Sequence, residues 1–117
     1  MLKLWSDVIL NQTVTSGATV YTSIVPAARS NGDVALEIIS SAGTLAITQQ
    51  CSMDGKTWYD PQDGAGNALG AVIAAMTVGS KYIVPSAVVA PYIRYKLVES
   101  TAETIVKIKL IFSEETS

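Results

Sequence analysis

Three carboxylates, Asp54, Asp60 and Asp63, crowd around Trp58 and Pro61. Such a group, helped by loop carbonyls, is the kind that binds calcium. The spacing does not match the D-x-[DN]-x-[DN]-G loop, so turn-forming and solvated roles outrank metal, and Asp54-Gly55 is explained by a tight turn alone. Trp58 and Tyr59 form the one aromatic pair that could stack on a sugar. The competing reading has Trp58 plugging one end of a core while Tyr59 covers its edge, and a single aromatic pair favours that reading. Cys51 is the only cysteine. It can form no internal disulfide and no C-x-x-C site, and it reads as a small buried hydrophobe in a strand. The chain has no histidine. That removes the usual general base, the Ser-His-Asp and Cys-His arrangements and the commonest zinc ligand. A paired-carboxylate mechanism survives on chemistry, but no pair here is specified beyond its turn. The expectation is a non-enzymatic protein with no cofactor and no metal.

The elements that position these residues follow from hydrophobic periodicity. Val34, Leu36 and Ile38 alternate with polar or smaller residues, as do Leu45, Ile47 and Gln49. Ile93, Tyr95 and Leu97 alternate with Tyr92, Arg94 and Lys96, and Val106, Ile108, Leu110 and Phe112 oppose Ile105, Lys107, Lys109 and Ile111. A period of two marks half-buried strands, because successive side chains point to opposite faces of a sheet. Ser16-Gly17, Asn31-Gly32, Ala42-Gly43, Asp54-Gly55 and Gly64-Ala65-Gly66 supply turns. Pro26, Pro61, Pro85 and Pro91 fall at strand ends, where a missing ladder donor does least harm. The expected strands are 2–10, 18–25, 33–40, 44–52, 56–60, 71–77, 80–84, 91–98 and 104–112. Segment 68–78 has enough alanine to suggest a short helix, but its turn-rich flanks and β-branched Val72-Ile73 favour extended chain. The pattern predicts an all-β, single-domain antiparallel sandwich, jelly-roll-like, of about eight or nine short strands over residues 1–117.

Composition narrows the function. The chain has 117 residues, a net charge of −2, 49% hydrophobic residues and only 15% charged ones. Disorder needs the opposite balance, and phosphate contacts need clustered Lys and Arg, so nucleic acid is not an expected partner. No apolar run approaches the roughly 18 residues of a membrane span, and Met1-Leu2-Lys3-Leu4-Trp5 lacks the apolar stretch of a signal peptide. Synthesis in a reducing cytoplasm is expected. Serine and threonine form about a fifth of the sequence, giving uncharged polar surface suited to contact with other subunits. Arg94, Lys96, Lys107 and Lys109 would form a small basic stripe if the last two long strands were neighbours, paired with Glu99, Glu103 or Glu37. Trp5 is open to two roles, core residue or interface anchor beside Leu2 and Leu4.

The run from Gln50 to Asp60 contains S-x-D-G-x-T-W at Ser52–Trp58, and about thirty residues later comes Ala90-Pro91-Tyr92-Ile93-Arg94. The pairing resembles small β-sandwich structural proteins of tailed bacteriophages and prophages, over roughly residues 33–112. The resemblance implies an inward-packed Trp58 and a virion component, such as a capsid decoration protein or a minor head or tail protein. It would be made in the host bacterial cytoplasm and bind other virion proteins, foremost a major capsid protein. The expected form is a homo-oligomer, with a trimer favoured, cementing a lattice by many weak contacts. Leu2, Leu4 and Trp5, with segments 1–6 and 113–117, would be its assembly contacts. The alternative is a carbohydrate-binding or adhesive module with Trp58 and Tyr59 as its platform.

Overall fold

The computed structural model describes residues 2–26, 34–85 and 90–115. They form nine strands: β1 (Leu2–Val14), β2 (Thr19–Tyr21), β3 (Val25–Pro26), β4 (Val34–Ser40), β5 (Leu45–Ser52), β6 (Ala71–Met76), β7 (Gly79–Ile83), β8 (Tyr92–Glu99) and β9 (Thr104–Glu115). One sheet runs β1-β9-β4-β7 and the other β2-β8-β5-β6, with β3 continuing beside β8. Every pairing is antiparallel. Successive connections cross from one sheet to the other, as in a jelly roll, except β2 to β3 and β5 to β6, which stay within the second sheet. Segment 68–78 is extended through β6, as its β-branched residues predict.

The core lies between the sheets. Leu36, Ile38, Leu45, Ile47, Tyr95, Leu97, Val106 and Ile108 are fully enclosed. These are the inward positions of the period-two pattern, and each such side chain contributes roughly 1.5–3 kcal/mol relative to exposure. Strand β8 shows the alternation along its whole length, with Ile93, Tyr95, Leu97 and Glu99 buried and their neighbours half-exposed. Thr22 fills the gap between β2 and β3. Its N–H donates to Tyr95 O at 3.0 Å, and Tyr95 N–H donates to its Oγ1 at 3.0 Å, so the ladder beside β8 continues through a residue outside both strands.

Several expectations are corrected. Segment 18–25 is two short strands, broken where Thr22 substitutes a side-chain acceptor for a carbonyl. Segment 56–60 is not a strand, because its pairing is a single bridge between Cys51 and Tyr59. The same edge of β5 is taken by Gly70 and β6, and Pro61 has no N–H with which to extend the ladder. The first and last strands run further than the alternation suggested, because they pair with each other from Leu2↔Glu115 to Val14↔Thr104. A bulge between Val8 and Leu10 lets both Ile9 and Leu10 be buried. Asn31-Gly32, Asp33, Met1, Thr116 and Ser117 lie outside the described residues.

Candidate functional site

The basic stripe does not form. β8 and β9 belong to different sheets, so Arg94 and Lys96 face outward from one side of the sandwich and Lys107 and Lys109 from the other. Alternation within a strand says which face a residue takes but not which sheet the strand joins. Glu37 stands directly opposite Lys109 in the β4/β9 register. Glu99 does not pair with any of these lysines. It is fully buried at the end of β8.

On the outer face of the β2-β8-β5-β6 sheet, Arg94 is held between two aromatic rings. Its guanidinium carbon lies 4.0 Å from the centre of the Tyr21 ring and 4.4 Å from that of Trp58. Tyr21 comes from the edge strand β2, while Trp58 folds back over the sheet from the long connection 53–70. Arg94 Nε–H donates to Gln50 Oε1 at 2.8 Å, and Gln50 Nε2–H donates to Asp60 Oδ1 at 2.9 Å. Gln50 and Arg94 are directly opposite in the β5/β8 register, which brings these groups together. Trp58 is therefore neither a core plug nor packed inward. Charge–ring attraction to Arg94 holds it on the outside of the sheet, and Arg94 occupies one face of the ring that a sugar would need. Tyr59 is 59% exposed beside it, with its backbone fixed by two hydrogen bonds to Cys51. Cys51 is free and half-buried, its Sγ 3.8 Å from Tyr59 O.

Two turns stiffen the 53–70 connection, and they use the carboxylates singled out in the sequence. Asp54 Oδ1 accepts from Lys56 N at 2.8 Å, Thr57 N at 2.9 Å and Ser52 Oγ at 3.0 Å. The Thr57 and Lys56 N–H groups, with the Ser52 hydroxyl, hold its carboxyl below the usual carboxylate range. Asp63 accepts from the Asn67 side chain, Asn67 N and Ala65 N, each at 2.9 Å, and is lowered for the same reason, the Asn67 amide contributing most. The third carboxylate, Asp60, is engaged by Gln50. The three acids thus sit in separate hydrogen-bond systems. Among the described residues no group of three potential ligands gathers around a common point. The connection rejoins the sheet at Gly70, whose carbonyl accepts from Gln49 N at 2.7 Å. A Cβ there would run into the Gln49 carbonyl and Pro61, so only glycine fits.

The opposite face, on β1-β9-β4-β7, is apolar at one end. Leu4 is 74% exposed, Tyr82 65% and Val84 58%, and Val8 is also exposed. Leu4, Tyr82 and Val84 border a shallow depression of about 200 Å³ floored by Ala35 and Ile111. Leu4 and Trp5, named together in the sequence, separate here. Leu4 points outward opposite Ser113, while Trp5 is half-buried against the core opposite Phe112 and lines a cleft of about 280 Å³ between β1 and the β2–β3 segment. Leu2 is placed in β1 by its pairing with Glu115. Segments 2–6 and 113–115 are paired with each other as the ends of β1 and β9.

The far end of the sandwich is fastened by a buried carboxylate that the sequence reading took for a surface charge. Glu99 Oε1 accepts from Thr44 N at 2.7 Å, Ala102 N at 3.2 Å, and Thr101 N and Oγ1 at 3.3 Å each. Burial by itself would raise its pKa, but the hydrogen bonds from Thr44, Ala102 and Thr101 outweigh it and hold the carboxyl below its ordinary value. Gly43 makes room, since a Cβ at its φ of +78° would overlap the carboxylate. The sequence signal was available: an acid on the inward register of Ile93, Tyr95 and Leu97 must be solvated by turn N–H groups.

No protein-family model matches the chain, and no curated protein does. Solved structures do. The crystal structure of the SPBc2 prophage-derived protein YomS superposes with a TM-score of 0.60 at 12% identity, covering 95% of each chain. The structure of infectious bursal disease virus, Gx strain, gives 0.56 at 12% identity, covering 97% of this chain and 32% of that one. A subunit of Bacillus endospore appendages, described as a novel family of disulfide-linked pili, gives 0.52 at 12% identity over all of this chain and 92% of the other. At such identity the common property is the two-sheet β fold itself.

Proposed function

We propose that the chain is a non-enzymatic structural subunit of a phage-like particle, a capsid decoration or cement protein that associates with further copies of itself and seats on a capsid lattice. The observation that carries the reading is the apolar end of the β1-β9-β4-β7 face, where Leu4, Tyr82 and Val84 are exposed together around Ile111 on a chain with few charges. Contiguous exposed apolar groups of this kind mark contact surfaces. Between copies, the Glu37–Lys109 pair at the centre of the same face is self-complementary across a symmetry axis, since each copy offers one acid and one base. The jelly-roll architecture is one that viral coats use, though lectins use it too, and the prophage and virus structures among its neighbours favour the first use. Both termini of the described chain lie at the apolar end, in the paired ends of β1 and β9, where the Leu4 contact is made.

The experiment is sedimentation of the purified chain, alone and mixed with particles of the phage or prophage that encodes it. Oligomerisation, and co-sedimentation weakened by Leu4→Ser and Tyr82→Lys, supports the reading. A monomer indifferent to particles refutes it. Nucleic acid, a membrane and a major role for metal or cofactor have no part in this mechanism.

A further inference from the structure

We propose that Arg94, clamped between Tyr21 and Trp58, is a receptor for a carboxylate carried by a protein partner. The guanidinium has five N–H donors in one plane. One, on Nε, is used by Gln50. The two rings pack against the group at 4.0 and 4.4 Å from its carbon, and its terminal nitrogens are not among the buried unpaired atoms of the described residues. Among the described residues no acid forms an ion pair with it, and the four N–H groups on its two terminal nitrogens have no protein acceptor. Asp60, the nearest acid in the hydrogen-bond chain, is bound through Gln50 and so aligns Arg94 without neutralising it. Most surface arginines lose side-chain freedom when they bind. This one has been fixed in advance, so a carboxylate can take both terminal nitrogens in a fork-to-fork pair at reduced entropic cost.

The surroundings select a protein partner. Arg94 lies on an open sheet face, with Tyr21, Lys96 and Trp58 around it, and the two clefts described above lie elsewhere. Small ligands are held in concave sites, whereas arginine and aromatic residues on an open face are the usual anchors of protein contacts. The 53–70 connection is braced by its Asp54 and Asp63 turns, so Trp58 is presented in place. This proposal is independent of the oligomeric face, which lies on the other sheet.

The test is a titration of the full chain with a hexaglutamate peptide at low ionic strength, followed by the NMR signals of the Arg94 Nε–H and the Trp58 indole N–H. Saturable shifts of both are expected. Arg94→Lys keeps the charge but not the planar fork, and should weaken the titration at least about tenfold. Lys96→Gln, on the same face, should change it less than about threefold, as loss of one screened neighbouring charge. Absence of any shift in the native chain overturns the proposal, as does an equal loss in Lys96→Gln, which would mean diffuse attraction. A response to an acidic oligosaccharide such as hyaluronan in place of the peptide also overturns it. Because the native chain is read first, a poorly folded Arg94 variant does not decide the outcome.

Discussion

Replacing Glu99 by alanine removes the acceptor for three turn N–H groups, those of Thr44, Thr101 and Ala102. The first two residues of that set belong to different turns, so the carboxylate joins the 41–44 and 100–103 connections at one end of the sandwich. A hydrogen bond to a charged group contributes about 1.5–3 kcal/mol when buried, and water recovers part of it for turns at the surface, so a net loss of roughly 1 kcal/mol per donor is reasonable. Glu99→Ala should therefore cost about 3 kcal/mol, a large share of the roughly 5–15 kcal/mol that holds a domain together. For a chain of this size that is a fall in Tm of about 12 °C. Glu99→Gln should cost about 2 kcal/mol: its oxygen keeps the acceptor role without charge, and its NH₂ enters the place of Oε2, which is buried without a partner among the described residues. The pH dependence has a fixed sign. The folded pKa lies below the unfolded one, so the stabilisation is complete above the unfolded carboxylate value of about 4.3 and is lost as pH falls through the lower folded value. Urea melts at pH 7 and across the acid range, on native and Glu99→Gln chains, check both parts. A Gln variant within about 0.5 kcal/mol of native at pH 7, with the same acid slope, refutes the buried-clasp reasoning.

Gly43→Ala should cost about 1–3 kcal/mol, since it combines a left-handed φ with overlap on Glu99, and its loss should be smaller in a Glu99→Ala background, as a double-mutant cycle would measure. Tyr95→Phe should be neutral or stabilising by up to about 1 kcal/mol in the same melts, because the buried hydroxyl has no partner among the described residues. Trp58→Ala should leave the sandwich folded, cost about 1 kcal/mol, and make the 53–70 connection cleavable by a protease at concentrations that spare the native chain.

Much of the architecture was readable from residue order. The alternation expected over 33–40, 44–52, 91–98 and 104–112 marks four of the strands to within a residue at most ends, and the inward residues that became the core. What the period could not supply was sheet membership. β8 and β9 look like neighbours along the chain, yet one lies in each sheet, so the four basic residues part company. Trp58 misled for a related reason. Its apolar bulk suggested burial, but its place is decided by Arg94, a cross-strand partner of Gln50 that only the β5/β8 register brings near. The carboxylates Asp54 and Asp63 behave as their turn chemistry required. Glu99 was misjudged because a charged side chain was assumed to seek solvent, while its inward register and the glycine at 43 pointed to burial.

The most direct measurement is sedimentation equilibrium of the purified chain over a wide concentration range, with Tyr82→Lys beside it. The proposed assembly role predicts a mass that is a multiple of 12.3 kDa for the native chain and a shift toward monomer when a charge is placed on the apolar end of the β1-β9-β4-β7 face. A native chain that stays at 12.3 kDa at every concentration, and binds no phage particle, would contradict it.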